Sequence, residues 1–206
     1  TASHSFVNPG TYSVTLRVTD ASQIVQTRTF LQTVYLPATA NKPSASSNIV
    51  IQTPASGNPR LWVVNQDNDS VSAFDTVTRA KLAEVTVGTA PRSIAVATNG
   101  LIWVTNKRSD SISVINPATN TVVNTIALPR ASQPFGIAMS PTAAQAFVVL
   151  EATGQLLKFD TASYAQLASV SVGANARQLS ISADGASAYV SRFITPPLPG
   201  ESTATV

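Results

Sequence analysis

The 206-residue chain offers few side chains for chemistry. It holds one histidine, His4, and no cysteine. A histidine-based triad, a multi-histidine metal site, thiol catalysis and a zinc-thiolate centre are therefore excluded within this stretch. Asn65-Gln66-Asp67-Asn68-Asp69-Ser70 superficially resembles a calcium loop, but it lacks the glycine and the distal glutamate of an EF-hand. Asp67, Asp69 and Asp110 read instead as Asx-turn residues that close hairpins. Glu84 and Glu151 do not suggest the carboxylate pair of a glycoside hydrolase. Arg92 and Arg177 each open an apolar segment. They are the candidate binding residues, able to hold an anionic ligand or to supply solvated charge. No catalytic residue, metal ligand set or cofactor is assigned to the stretch.

The bulk numbers narrow the classes further. Hydrophobic residues make up 44% of the chain, enough for a core. Charged residues make up 11%, against about a quarter in ordinary globular domains. The remaining surface must be rich in Thr, Ser, Asn, Gln and Ala, a composition common among extracellular β proteins. The expected location is extracellular, cell surface or periplasmic. The net charge is +3, and Lys107-Arg108 is the only basic doublet. Nucleic-acid binding needs a concentrated basic patch and is not expected. No apolar run approaches the ~18 residues of a membrane span, so no membrane insertion is expected within the segment.

The elements that must position these residues read as strands. Tyr12, Val14, Leu16 and Val18 alternate with polar residues, the period of a half-buried strand. Pro9-Gly10 marks a turn before it, and a second strand is expected over Gln26 to Tyr35. Leu36 to Ser47, with Pro37 and Pro43 and no periodicity, reads as an exposed linker. From Asn48 onward the chain repeats. Leu61-Trp62-Val63-Val64-Asn65 recurs as Ile102-Trp103-Val104-Thr105-Asn106, and more loosely around Phe147 and Tyr189. The aromatics Trp62, Trp103, Phe147 and Tyr189 are 41, 44 and 42 residues apart. Each of the first three is followed by a second strand that ends in a turn at Asp75, Asn116 or Asp160. A third strand and then an apolar strand follow. Four short strands per period predict propeller blades, counted from Asn48, Pro91, Pro134 and Ala176. The prolines of Phe193 to Gly200 interrupt the fourth blade.

Two resemblances attach to these motifs. His4-Ser5-Phe6 followed by Gly10-Thr11-Tyr12-Ser13-Val14-Thr15-Leu16-Arg17-Val18-Thr19-Asp20 resembles the closing strands of a PKD domain, an immunoglobulin-like sandwich of surface proteins. Tyr12 then stands where a tyrosine corner would pin a strand, and His4 reads as a turn position of the sandwich. Trp103-Val104-Thr105-Asn106, the downstream Asp-Thr and Asn-Pro turns and Val87 to Arg92 resemble the repeat of YVTN-family propellers. That resemblance spans roughly residues 48 to 193.

The expected fold is all-β: a partial β-propeller of about three and a half four-stranded blades, preceded by the last strands of an immunoglobulin-like β-sandwich. The expected division is 1–36 for the sandwich end, 37–47 for the linker and 48–206 for the blades. A residue repeated in every blade builds the blade, so Asp75, Asn116 and Asp160 read as turn caps, and Asn65 and Asn106 likewise as structural. Trp62 and Trp103, with Phe147 and Tyr189 at matching positions, read as filling between blades. The resemblances imply a non-catalytic surface or envelope protein whose propeller binds an unidentified protein or carbohydrate. The alternative is the propeller portion of a larger secreted enzyme or redox protein, because related propellers host lactone hydrolysis or haem- and quinone-dependent oxidation.

Overall fold

A computed structural model of the chain describes residues 3–8, 10–34 and 44–194. Every regular element among them is a strand. The chain divides into two compact units, Thr1–Ala40 and Asn41–Val206.

The first unit is a hairpin of β1 (Gly10–Thr19) and β2 (Val25–Val34), paired in register from Gly10↔Val34 to Thr19↔Val25. Asp20 shapes its turn, with Oδ1 accepting from the amides of Ser22 and Ile24 at 2.8 and 2.9 Å. Tyr12 donates its hydroxyl to the carbonyl of Asn8 at 2.7 Å, and its ring lies 4.6 Å from that of Phe6. This ties the segment ahead of β1 back onto the strand. Pro9 and residues 35–43, which include most of the expected linker, lie outside the described residues, as do the prolines expected to interrupt the fourth blade.

The second unit begins with β3 (Ser44–Ala45). The first sheet holds β4 (Ile49–Gln52), β5 (Arg60–Asn65), β6 (Ser70–Asp75) and β7 (Lys81–Thr86). The next holds β8 (Pro91–Val96), β9 (Ile102–Asn106), β10 (Ser111–Asn116) and β11 (Thr121–Ala127). The third holds β12 (Pro134–Met139), β13 (Gln145–Leu150), β14 (Gln155–Asp160) and β15 (Gln166–Ser171). The fourth is built on β16 (Ala176–Ile181) and β17 (Ala188–Arg192). Each of the first three is an antiparallel meander in chain order. The first strands of successive sheets, β4, β8, β12 and β16, pack side by side. The arrangement is a β-propeller, with three full blades and a fourth represented by β16, β17 and β3.

One expectation changes here. Ser44–Ser47, read as the end of an exposed linker, enters the propeller. β3 pairs antiparallel with β16, through Ser180↔Ala45 and Ile181↔Ser44. The Ser46 amide donates to the Leu179 carbonyl at 2.8 Å, and Ser47 bridges to Ile94 of β8. The physical reason is the inner edge of each blade. Its backbone groups need partners, and a short serine-rich segment supplies them at little steric cost. The absence of periodicity gave no sign of this, because only four residues are involved.

Apolar packing lies between blades, as the repeat requires. Trp62 is fully buried among Val64, Val71, Val85, Ile94, Ile102 and Ile115 of the first two blades. Trp103 is fully buried against Ile137, Met139, Val148 and Phe159 of the third. The last cluster joins Ala138 and Val149 to Leu179 and Ile181, with Phe147 half-buried at its margin. Tyr189, at the matching position, is 66% exposed, since no described residue covers that face.

The four equivalent positions therefore differ in energetic weight. Trp103→Ala should cost about 3–5 kcal/mol. Tyr189→Ala should stay within about 0.5 kcal/mol. Urea unfolding midpoints of the two variants check this, and equal losses would contradict the packing described.

Candidate functional site

The turns between the second and third strands of each blade, and the connections between blades, emerge at one end of the propeller. This end is the mouth. Residues 66–69, 107–110 and 151–154 form the turns, and residues 87–90, 128–133 and 172–175 form the connections. The two sets are bonded to each other. Asp69 Oδ1 accepts from the Ala90 amide at 2.7 Å. Asp110 accepts from the amides of Ala131 and Gln133 at 2.7 and 2.9 Å. Both aspartates thus fasten the connection to the next blade, a longer reach than the Asx turns expected for them. Gly154 takes this position in the third blade with φ +65°, and a Cβ there would stand 2.4 Å from the Gly173 backbone. Close backbone approach replaces the carboxylate.

The repeated polar residues lie where blades are built. Asn65 Nδ2 donates to Ser70 Oγ and Ser72 Oγ at 3.0 and 2.9 Å, and Asn106 Nδ2 repeats the pair with Ser111 and Ser113 at 3.1 and 2.9 Å. At the opposite end, Asp75 Oδ1 accepts from the amides of Val77 and Thr78. Asp160 Oδ1 accepts from those of Ala162 and Ser163, and Asn116 Oδ1 from that of Ala118. These amide bonds, with the Asn58 and Ser163 side chains, hold the Asp75 and Asp160 carboxyls below the usual carboxylate range.

The residue just after each second strand changes chemistry from blade to blade: Gln66, Lys107, Glu151 and Phe193. Beside them, near the start of successive inner strands, stand Arg92, Phe135 and Arg177. The two sets interlock around the mouth. Arg92 donates to Gln66. Lys107 Nζ lies 2.6 Å from Glu151 Oε2, and Arg177 donates to Glu151 Oε1 at 2.8 and 2.9 Å. The Phe135 ring lies beneath both cations, 5.5 Å from Lys107 Nζ and 5.3 Å from the Arg177 guanidinium, which also stacks on Phe193 at 3.7 Å. Glu151 is 7% exposed. Burial pushes its carboxyl up, but the hydrogen bonds and charges of Lys107 and Arg177 outweigh that and hold it below its usual value.

Two of the clefts at this end are lined by the candidate residues. One, of about 690 Å³, runs along the propeller axis between Ser46, Ser47, Gln66, Arg92, Phe135 and Gln178. Ser93 Oγ donates to the Ser47 carbonyl at 2.9 Å and accepts from the Ile137 amide at 3.3 Å, linking the serine segment to the second and third blades. Gly136 permits the crowding, since a Cβ there would lie 2.5 Å from the Arg177 carbonyl. The other cleft, of about 490 Å³, is lined by Arg92, Lys107, Arg108, Asp110, Arg130 and Gln133. The structure thus places Arg92 and Arg177 at the mouth on different blades and does not join them. It also assembles a basic cluster that the sequence, with its single doublet, did not announce. Lys107, Glu151, Phe135 and Arg130 were missed for the same reason. Superposing the repeats and asking which positions change chemistry would have found the first two.

No family model matches the sequence, and no curated protein matches it. Among solved structures, the chain is similar to hydrazine synthase of Kuenenia stuttgartiensis (22% identity, TM-score 0.52, covering 77% of this chain and 53% of that one). It is also similar to virginiamycin B lyase from Staphylococcus aureus (13%, 0.52, 91% and 76%). A third is the dihydro-heme d1 dehydrogenase NirN in complex with DHE (12%, 0.57, 82% and 35%). The chain spans about half the length of the hydrazine synthase chain it matches. At these identities the likeness concerns the fold. It is a β-propeller fold.

The Glu151 bridge sets a pH prediction. A carboxyl with a lowered folded pKa contributes stability that is present above its unfolded value, near 4.5, and lost as the pH falls through the folded value. Glu151→Gln should cost about 1–3 kcal/mol at neutral pH, because Lys107 and Arg177 lose a desolvated partner. The gap to the native chain should close as the pH falls below 4.5. Urea melts across that range check it, and a constant gap would contradict it.

Proposed function

We propose that the propeller is a non-catalytic binding platform whose mouth recognises a protein or carbohydrate ligand, in an extracellular or cell-envelope protein. In this reading the blades are of the YVTN type and the first unit is a PKD-like spacer. The observation that carries it is the set of unlike side chains at like positions: Gln66, Lys107, Glu151 and Phe193. Equivalent backbone positions with different chemistry present a non-repeating surface on a repeating frame, which is what recognition needs. Glu151 supports the same reading. Held ionised between two cations, it is poorly suited to deliver a proton and well suited to orient Lys107 and Arg177. The low charge fraction supports the location.

A second reading keeps the alternative of a larger secreted enzyme or redox protein, in which this propeller frames chemistry supplied by other residues. The solved structures named above include a lyase, a dehydrogenase and a synthase, which favours retaining it.

An array of soluble polysaccharides and extracellular proteins separates the two. The platform reading expects saturable binding, with the ligand recovered at unchanged mass. Gln66→Ala and Phe193→Ala should weaken binding, and Thr119→Ala at the opposite end should not. Chemical conversion of the ligand, or a haem spectrum in the native protein, would favour the second reading. Binding insensitive to both mouth variants would remove the platform.

A further inference from the structure

We infer that the 490 Å³ cleft between the second and third blades is a site for a small polyanion, a molecule carrying two or more negative charges in oxyanion groups. The inference deepens the platform reading and rests on it. Four cations reach the cleft from three chain segments. Arg92 comes from the start of β8, Lys107 and Arg108 from the β9–β10 turn, and Arg130 from the β11–β12 connection.

The carboxylates nearby are committed elsewhere. Both oxygens of Asp110 accept from amides of the β11–β12 connection, so this acid shapes the wall that carries Arg130. Glu151 is shared between Lys107 and Arg177 and balances one of them at most. Arg92 spends one Nη on Gln66, while its buried Nε has no acceptor. Arg108 and Arg130 make no side-chain hydrogen bond or ion pair among the described residues. The cleft therefore gathers donors faster than the protein supplies acceptors. Guanidinium groups suit oxyanions because their fork donates two parallel hydrogen bonds. The volume is that of a small-molecule site, too small for a folded partner. A single charge would leave most of the cluster uncompensated, so the site fits a ligand of two or more.

Pyrophosphate and citrate are the probes, titrated into the purified chain by calorimetry at low salt. They carry the same charge class on phosphate and carboxylate oxygens, so their ratio tells which oxyanion the cleft prefers. The expected result is one saturable site for at least one probe, weakened as salt approaches ~0.15 M. Arg108 and Arg130 are exposed, and their replacement should not disturb folding. R108A/R130A should weaken binding by about tenfold or more. Arg28→Gln, on the hairpin unit, should leave it unchanged. The absence of saturable binding of either probe, or binding indifferent to R108A/R130A, overturns the inference. If neither probe binds while array ligands still respond to Gln66→Ala and Phe193→Ala, the anion site falls and the platform stands. If the probes bind here and array binding ignores those variants, the platform falls.

Discussion

A blade of this propeller cannot exist alone. Its four short strands form a sheet with two apolar faces, and each face is stable only when a neighbouring sheet covers it. Everything else at the mouth depends on that stacking. Trp62 and Trp103, both fully buried, occupy the spaces between the first three blades and set how closely successive sheets approach. Large aromatic side chains contribute the greatest buried area per residue, which suits them to that position. Because the sheets are stacked in one phase, the same turn of each blade arrives at the same height. Side chains as distant in sequence as Gln66 and Phe193 thereby become members of one rim.

Polar backbone groups impose the second constraint. The inner strand of each blade faces the axis with an edge that must be satisfied or hydrated. Ser44–Ser47 meets part of that demand. It pairs with β16, bridges to β8, and is held by Ser93 between two blades. At the rim, Asp69 and Asp110 meet a similar demand from the connections between blades, whose amides they accept. Residues with little chemical reactivity thus do most of the positioning.

The fold was largely legible in the sequence, because it is written in repetition. The spacing of Trp62, Trp103, Phe147 and Tyr189, with the turns at Asp75, Asn116 and Asp160, located three complete blades and the start of a fourth. The inner strands begin at Pro91, Pro134 and Ala176, the residues from which the blades were counted. The register shifts at Pro91/Ser93, Pro134/Ile137 and Ala176/Gln178 break the alternation near each of these starts, which the sequence pattern did not show. The rim was much less legible. Lys107, Glu151 and Arg177 are spread over seventy residues, and no local pattern joins them. Their meeting depends on which face each turn emerges from. Arg92 and Arg177 were recognisable because they precede apolar strands, but their partners, Gln66 and Glu151, were not.

The rim keeps one geometry only if the blades are docked closely enough to hold it. A double-mutant cycle between Lys107 on the second blade and Glu151 on the third measures that most directly. Stabilities of the native chain, Lys107→Ala, Glu151→Ala and the double variant give the coupling. Closely docked blades give a coupling of about 1–3 kcal/mol, as expected for a close ion pair largely withdrawn from water. A coupling near zero would mean that the two side chains do not meet, and the rim described here would not exist.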